Sequence, residues 1–397
     1  MRLSERMQHI GTETAFEAAA RARALEESGR DIIHLHLGEP DFETPANIIA
    51  AAKRALDEGH THYAPPLGVP LLREAVADDF AARRGVAVEP GRVVIAPGAK
   101  PVMAFALMAL VQPGDEVIGP DPGFPIYESM TRFMGATPVP IALHPENDYR
   151  MDLDELRSLV TPRTRMLFFN SPQNPTGAVL PREDLEDIAA IAIGHDLVVF
   201  ADEIYSRIVY EGQHHSILEI EGMAERTIVL DGFSKTYAMT GWRLGYGILP
   251  TELVPVFERL MINTVSCTAT YAQHAAVEAL NGPQDAVGAM VAEFRERRDL
   301  IVGGLDELPA ISCPRPSGAF YAFPDVSGTG MDGSTFAQRL LAEAGVSVLG
   351  GTAFGQQASD SIRVSYANSQ QNLRLALKRM AAFIEGASAS APVSAER

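Results

Sequence analysis

The chain reads as an α/β protein: a mostly parallel sheet carrying a second, smaller α+β portion. Three observations predict this. Between residues 93 and 230 short apolar runs alternate with helical segments, the pattern of strand–helix–strand units. The runs are apolar on both alternating positions, as in a sheet covered on both faces. After Asn281-Gly-Pro283 the alternation stops and a long arginine-rich segment begins.

Taken in order, residues 13–29 are alanine-rich and close on Gly29, which predicts a helix. Ile32 to Leu37 alternates and predicts a short strand. Gly38 to Pro45 is a loop by its glycine and prolines, and Pro45 then opens a helix from Asn47 to Glu58. Thr61 to Gly68 is a second loop, followed by a helix from Pro70 to about Arg84. Strands are expected at Val93–Ala96, Glu116–Ile118, Thr137–Ile141, Met166–Asn170, Leu197–Ala201 and Thr227–Leu230. The helices between them cover Pro101–Val111, Phe124–Met134, Asp152–Val160 and Arg182–His195. A long helix from Gln284 to Leu305 leads into the smaller portion. There Gly318–Phe323, Val346–Leu349 and Ile362–Tyr366 are further apolar segments, Phe336–Ala344 is another element, and Ser369–Glu385 forms a last helix. Residues 386–397 are small and polar and read as a disordered tail.

A chain of 397 residues can bury a large core. Its formal charge of −18 argues against nucleic acid and anionic membrane as partners. The two cysteines, Cys267 and Cys313, lack a CxxC partner and predict buried free thiols in a reducing compartment. The first residues contain no apolar h-region, so no signal peptide is expected, and a cytoplasmic setting follows. The pairs His34/His36, His60/His62 and His214/His215 lack ligands at metal spacing and are expected to be structural or surface residues.

The most informative stretch runs from Asp231 to Gly247. The chain has only four lysines, and one of them, Lys235, sits between Ser234 and Thr236 with no other formal charge from Gly232 to Trp242. Taken alone, such a lysine can bury its stem and keep its head in water. A desolvated ammonium instead loses its proton more readily, and a neutral amine attacks an aldehyde to form a Schiff base. Eight residues on, Arg243 supplies a guanidinium suited to a phosphate. That combination is what pyridoxal phosphate (PLP) requires. The spacing Gly232-Phe-Ser234-Lys235 followed by Gly241-Trp-Arg243-Leu-Gly245 resembles the lysine motif of class I aminotransferases, PLP enzymes of fold type I.

Other segments extend the resemblance over residues 3 to 385, in the family's order. Asp202 ends an apolar strand in Asp-Glu-Ile-Tyr205; a carboxylate there is either a helix cap or a partner for a ligand at the sheet edge. The resemblance implies that Asp202 faces the cofactor's ring nitrogen and that Tyr205 donates to its 3′ oxygen. Asn174, in Asn-Pro-Thr-Gly177, matches a donor to the same oxygen that also contacts substrate, and Pro175 matches a proline that often follows a cis bond. Gly98-Ala99-Lys100 joins a strand to a helix and matches the family's phosphate cup, and the resemblance makes Ser234, beside Lys235, a further cofactor-binding residue. In an aspartate/prephenate-type branch, the lysine matching Lys100 also binds a substrate's distal carboxylate. Phe124 stands where many members stack a tryptophan on the ring, so an indole donor is missing. Arg363, between Ile362 and Val364, matches the clamp on the substrate's α-carboxylate. Gly38 matches a backbone contact beside that carboxylate, and Tyr63 a tyrosine that reaches the neighbouring subunit's phosphate, which implies a homodimer with shared sites.

The fold implied is a seven-stranded, mostly parallel sheet in a large PLP domain over 45–280. A small domain would combine segment 1–44 with 281–385. The reaction implied is transfer of an amino group between an L-amino acid and a 2-oxo acid in ping-pong order, with Lys235 holding PLP and then moving the substrate's proton. Two alternatives stay open at this point. One is a fold type I β-lyase acting on carbon–sulfur bonds. The other is a nucleotide-binding protein without PLP, which would need a GxGxxG after the first strand; none is present. For the substrate, alignment on Arg2-Leu-Ser and Gly38-Glu-Pro puts Ala15 where the aspartate-type branch has a threonine, with bulky Phe16 next. A site less committed to dicarboxylates is therefore expected, accepting neutral or aromatic amino acids alongside glutamate.

Overall fold

The computed structural model describes residues 1–11 and 13–389. An opening helix, Thr14–Glu27, precedes a two-residue strand, β1 (Ile33–His34). Seven strands then build the main sheet: β2 (Val93–Ala96), β3 (Glu116–Asp121), β4 (Thr137–Ala142), β5 (Thr164–Asn170), β6 (Val198–Asp202), β7 (Thr227–Gly232) and β8 (Gly245–Ile248). Their order is β2-β8-β7-β6-β5-β3-β4. Only β8 runs against its neighbours, pairing antiparallel with β2 and β7. The remaining pairs are parallel. This is the α/β architecture the alternation predicts. The seventh strand is β8, which no apolar run announced because two of its four residues are glycines.

Successive side chains point to opposite faces of a strand, and here each face meets its own core. Met166, Phe168, Phe200, Ile228 and Leu230 join one buried cluster. Their neighbours Leu167, Phe169, Val199, Ala201 and Val229 join the other. That explains why these strands are apolar without alternation.

The remaining strands lie outside the main sheet. β9 (Tyr321–Ala322), β11 (Leu349–Gly350) and β12 (Ile362–Ser365) form an antiparallel trio with β12 central. The expected single segment Val346–Leu349 is split: β10 (Val346–Ser347) pairs in parallel with β1, while β11 pairs with β12. The expected element at Phe336–Ala344 begins as an α-helix at Gly333 and ends in a π-turn over Leu340–Ala344. Helices at Val254–Thr264 and Thr270–Asn281 were not foreseen. The last helix runs from Gln370 to Ala389, so residues 386–389 are helical rather than tail; residues 390–397 lie outside the described residues.

Local chemistry explains several boundaries. Pro70 begins its helix at a position where a missing N–H costs nothing, and Gly85 closes it at φ 68°. The Asp152 carboxylate accepts from the backbone N–H groups of Asp154 and Glu155, capping Leu153–Leu159. No helix among the described residues is long and apolar enough to cross a membrane. Both cysteines are free; Cys313 is buried as expected, whereas Cys267 is only half-buried.

The topology decides where chemistry can sit. β2, β3, β5, β6 and β7 all point the same way, so their carboxyl ends share one edge of the sheet. β8 runs back, so the residues preceding it lie at that same edge. Ligands in open α/β sheets bind along this edge.

Candidate active site

A cavity of about 490 Å³ opens at this edge. The carboxyl ends of β2, β3, β5, β6 and β7 contribute to it. Ala99 and Lys100 follow β2, Phe124 follows β3, Asn174 follows β5, Asp202 and Tyr205 end and follow β6, and Ser234 and Lys235 follow β7. Arg243 precedes β8, Gly38 comes from the loop after β1, and Arg363 comes from β12. Two expected residues stand apart. Gly98 does not line the cavity but lies directly behind the Arg243 guanidinium. Tyr63 is 87% exposed and away from its own chain's cavity.

Lys235 is half-buried because its amine faces the cavity, and protein surrounds it on every other side. Its Nζ donates to the Gly38 carbonyl at 2.6 Å. Desolvation lowers its pKa from 10.5 to about 8, opposed in part by the Glu39 carboxylate. Near neutrality a usable fraction of the amine is therefore free of its proton.

Asp202 is buried, and burial pushes its carboxyl up to about 6. The Tyr127 hydroxyl donates to Oδ2 at 2.6 Å and the Ile204 N–H to Oδ1 at 3.1 Å. No ion pair is made by Asp202 among the described residues, although it remains charged at neutral pH. It lies at the sheet edge as a ready counter-charge for a cationic ligand atom, which is more than a helix cap requires.

An anion cradle lies beyond it. Gly98 has φ +90°, and a Cβ there would stand 2.2 Å from Arg243 Nη2. Only glycine lets the loop back onto the guanidinium this closely. The loop delivers its N–H groups to the start of the helix Lys100–Leu110. Arg243 Nη1 donates to the Thr240 carbonyl at 2.9 Å, which fixes its direction.

Arg363 is buried on β12. Its Nη1 donates to Asn174 Oδ1 at 2.9 Å and its Nη2 to the His36 carbonyl at 2.6 Å. The guanidinium also lies over the Tyr321 and Phe354 rings at 4.5 and 4.7 Å. Its Nε has no partner, leaving a buried donor for an incoming anion. The Tyr205 and Tyr321 hydroxyls share a hydrogen bond of 2.8 Å. Gly38 is required beside them, since a Cβ there would stand 2.2 Å from the Tyr321 hydroxyl.

Sequence reading missed several of these partners. Tyr127 lies three residues after Phe124, close enough to share a helix face, and was legible on that spacing. Tyr321 lay within the quoted apolar segment 318–323 without a motif to mark it. Asn170 donates to the Asp202 carbonyl at 2.8 Å and accepts from the Asn174 N–H at 2.8 Å, tying two strand ends together. Glu13 and Glu39 also line the cavity, and nothing in the sequence flagged either. The Asn174–Pro175 bond is cis. Of the paired histidines, His34 bonds Glu26 at 2.7 Å, His214 bonds Glu203 at 3.0 Å and His60 stacks on His274, whereas both ring nitrogens of buried His36 lack a hydrogen-bond partner.

The comparisons agree with this geometry. A family model described as aminotransferase class I and II matches residues 30–380. The chain is 41% identical over 383 residues to an aspartate/prephenate aminotransferase of Thermus thermophilus, covering 96% of this chain and 98% of the relative. It is 40% identical over 384 residues to an aromatic-amino-acid aminotransferase of Thermococcus litoralis, covering 96% and 97%. The solved structure of Thermus thermophilus aspartate aminotransferase with maleate superposes with a TM-score of 0.92 at 41% identity, covering 96% of this chain and 100% of that one.

The chain belongs to the class I and II aminotransferase family. It is a PLP-dependent aminotransferase of fold type I, and neither the lyase nor the nucleotide-binding alternative is favoured. The residues present fit the cofactor: a free carboxylate for a ring cation, a guanidinium backed by a glycine turn for a phosphate, and a desolvated amine between them.

Two outcomes follow. Asp202→Asn keeps the shape of the strand end and removes the counter-charge. It should leave the fold intact and lower kcat by about 10²–10³; near-normal turnover would mark Asp202 as a cap only. In the apoenzyme, the rate at which PLP is captured should rise as the pH passes through about 8, because Lys235 becomes neutral above that value. A rate that rises only near pH 10 would contradict the desolvated amine.

Proposed function

We propose that the cavity carries out amino transfer with Lys235 as the catalytic residue, in ping-pong order. PLP supplies an aldehyde for the amino group and a ring that draws electrons from the substrate's Cα. In this reading Asp202 holds the protonated ring nitrogen, and Asn174 and Tyr205 bond the 3′ oxygen. Phe124 packs on the ring face. Gly98, Ala99, Lys100, Ser234 and Arg243 receive the phosphate. Arg363 binds the substrate's α-carboxylate with Asn174 and the Gly38 backbone beside it, and Lys100 faces the substrate's side chain. Lys235 Nζ would take the proton from the substrate's Cα and hold it for return during the transfer.

The observation that carries the reading is that Lys235, Asp202 and Arg363 converge on one cavity from three separate elements, each with an unused valence. Lys235 has a depressed pKa, Asp202 has no ionic partner among the described residues, and Arg363 Nε has no acceptor. Groups of that kind buried together are costly unless a ligand completes them.

We further infer a homodimer; the exposure of Tyr63, away from its own chain's cavity, supports a contact with a second copy. The segregation of the sheets supports a large domain over 45–280 and a small one built from 1–44 and 281–385, whose two segments are joined by the β1–β10 pairing. The free thiols support a cytoplasmic setting. For the substrate we favour neutral or aromatic amino acids alongside glutamate. Ala15 and Phe16 line the cavity where a polar contact to a distal carboxylate would be needed. The test is kcat/KM for aspartate, glutamate, alanine, methionine and phenylalanine against 2-oxoglutarate and pyruvate. Comparable values for the neutral substrates are expected. A preference for aspartate beyond about a thousand-fold would overturn this choice.

A further inference from the structure

Lys100 is not free to meet a substrate. Its ammonium is ion-paired with the Glu13 carboxylate, which comes from the segment leading into the first helix. On its other side the ammonium lies 5.6 Å from the centre of the Phe124 ring. The Glu13 side chain is 17% accessible and that of Lys100 50%, so the acid is the more enclosed partner. A second acid, Glu39, lines the same cavity and bonds the Thr240 hydroxyl. The cavity beside the opening segment therefore holds one cation already paired, together with the apolar Ala15 and Phe16. A second carboxylate brought there must compete with Glu13 for Lys100 and face its like charge, whereas a neutral side chain meets neither cost.

We propose that Glu13 is a specificity-determining residue that acts through Lys100: by occupying the ammonium it weakens the hold on a substrate's distal carboxylate, so that dicarboxylic substrates lose their advantage over neutral ones. The inference rests on the amino-acid site assigned above and deepens it. Glu13 shares the cavity with Lys235 and its charge also raises that amine's pKa, so the test reads a ratio of substrates, in which an effect on the shared amine cancels.

The test uses the holoenzyme. Glu13→Gln keeps the shape and removes the charge, freeing Lys100. It should raise kcat/KM for aspartate relative to phenylalanine by about ten-fold, the low end for a bond to a charged group, because Lys100 is half in water. In a Lys100→Met background the same change should have no effect on the ratio. Binding is read separately by spectral titration with maleate and with hydrocinnamate as non-reacting competitors. Glu13→Gln should tighten maleate about ten-fold and leave hydrocinnamate within two-fold. An unchanged aspartate-to-phenylalanine ratio in an active variant overturns the inference, as does a full-sized effect that survives in Lys100→Met. Failure of the wild-type holoenzyme to transaminate any amino acid would instead overturn the assignment of the site itself.

Discussion

A carboxylate buried without a cation is the constraint on which the site depends. Asp202 ends β6 inside the protein, and the two groups that touch its oxygens, the Tyr127 hydroxyl and the Ile204 N–H, are neutral. Burying such a charge costs several kcal/mol unless a cation completes it. Its pKa of about 6 records the strain without relieving it at neutral pH. The sheet supplies the position, because strand ends from one direction meet at one edge, and β8 running back adds an arginine to the same edge. A ligand carrying a cation near Asp202 and an anion near Arg243 would relieve both ends together.

The rest of the cavity follows the same logic of incomplete valences. Arg363 uses two of its nitrogens on Asn174 and His36 and leaves Nε over. Those two bonds, with the Tyr321 and Phe354 rings, hold the guanidinium flat, so the remaining donor has a fixed direction. Lys235 is anchored on the Gly38 carbonyl by a bond a neutral amine can keep as donor. The N-terminal segment, strand β12 and the main sheet meet at this point, which couples the amine, the carboxylate clamp and the segment that carries Glu13.

The main sheet was legible in the sequence because its strands are apolar on both faces and its helices carry proline and glycine punctuation. The strand Val93–Ala96 and the helix Pro70–Arg84 fall where the residues say they should. β8 was not legible, since Gly245-Tyr-Gly-Ile offers little apolar signal and gains its strand character from pairing with both β2 and β7. The segment 346–349 reads as one strand, yet a local turn sends its halves to different partners. Most site residues stood in short motifs at strand ends, where loops carry function. Tyr321 and Glu13 were invisible for the opposite reason: each acts through a neighbour distant in sequence, Tyr205 in one case and Lys100 in the other.

The central claim is that Lys235, rather than the other lysine at the cavity, Lys100, bonds the cofactor. Borohydride reduction of the holoenzyme followed by peptide mapping tests it most directly. One pyridoxyl group per chain is expected, carried by the peptide containing Lys235 and absent from Lys235→Ala. A label on Lys100 in the wild-type enzyme would contradict it.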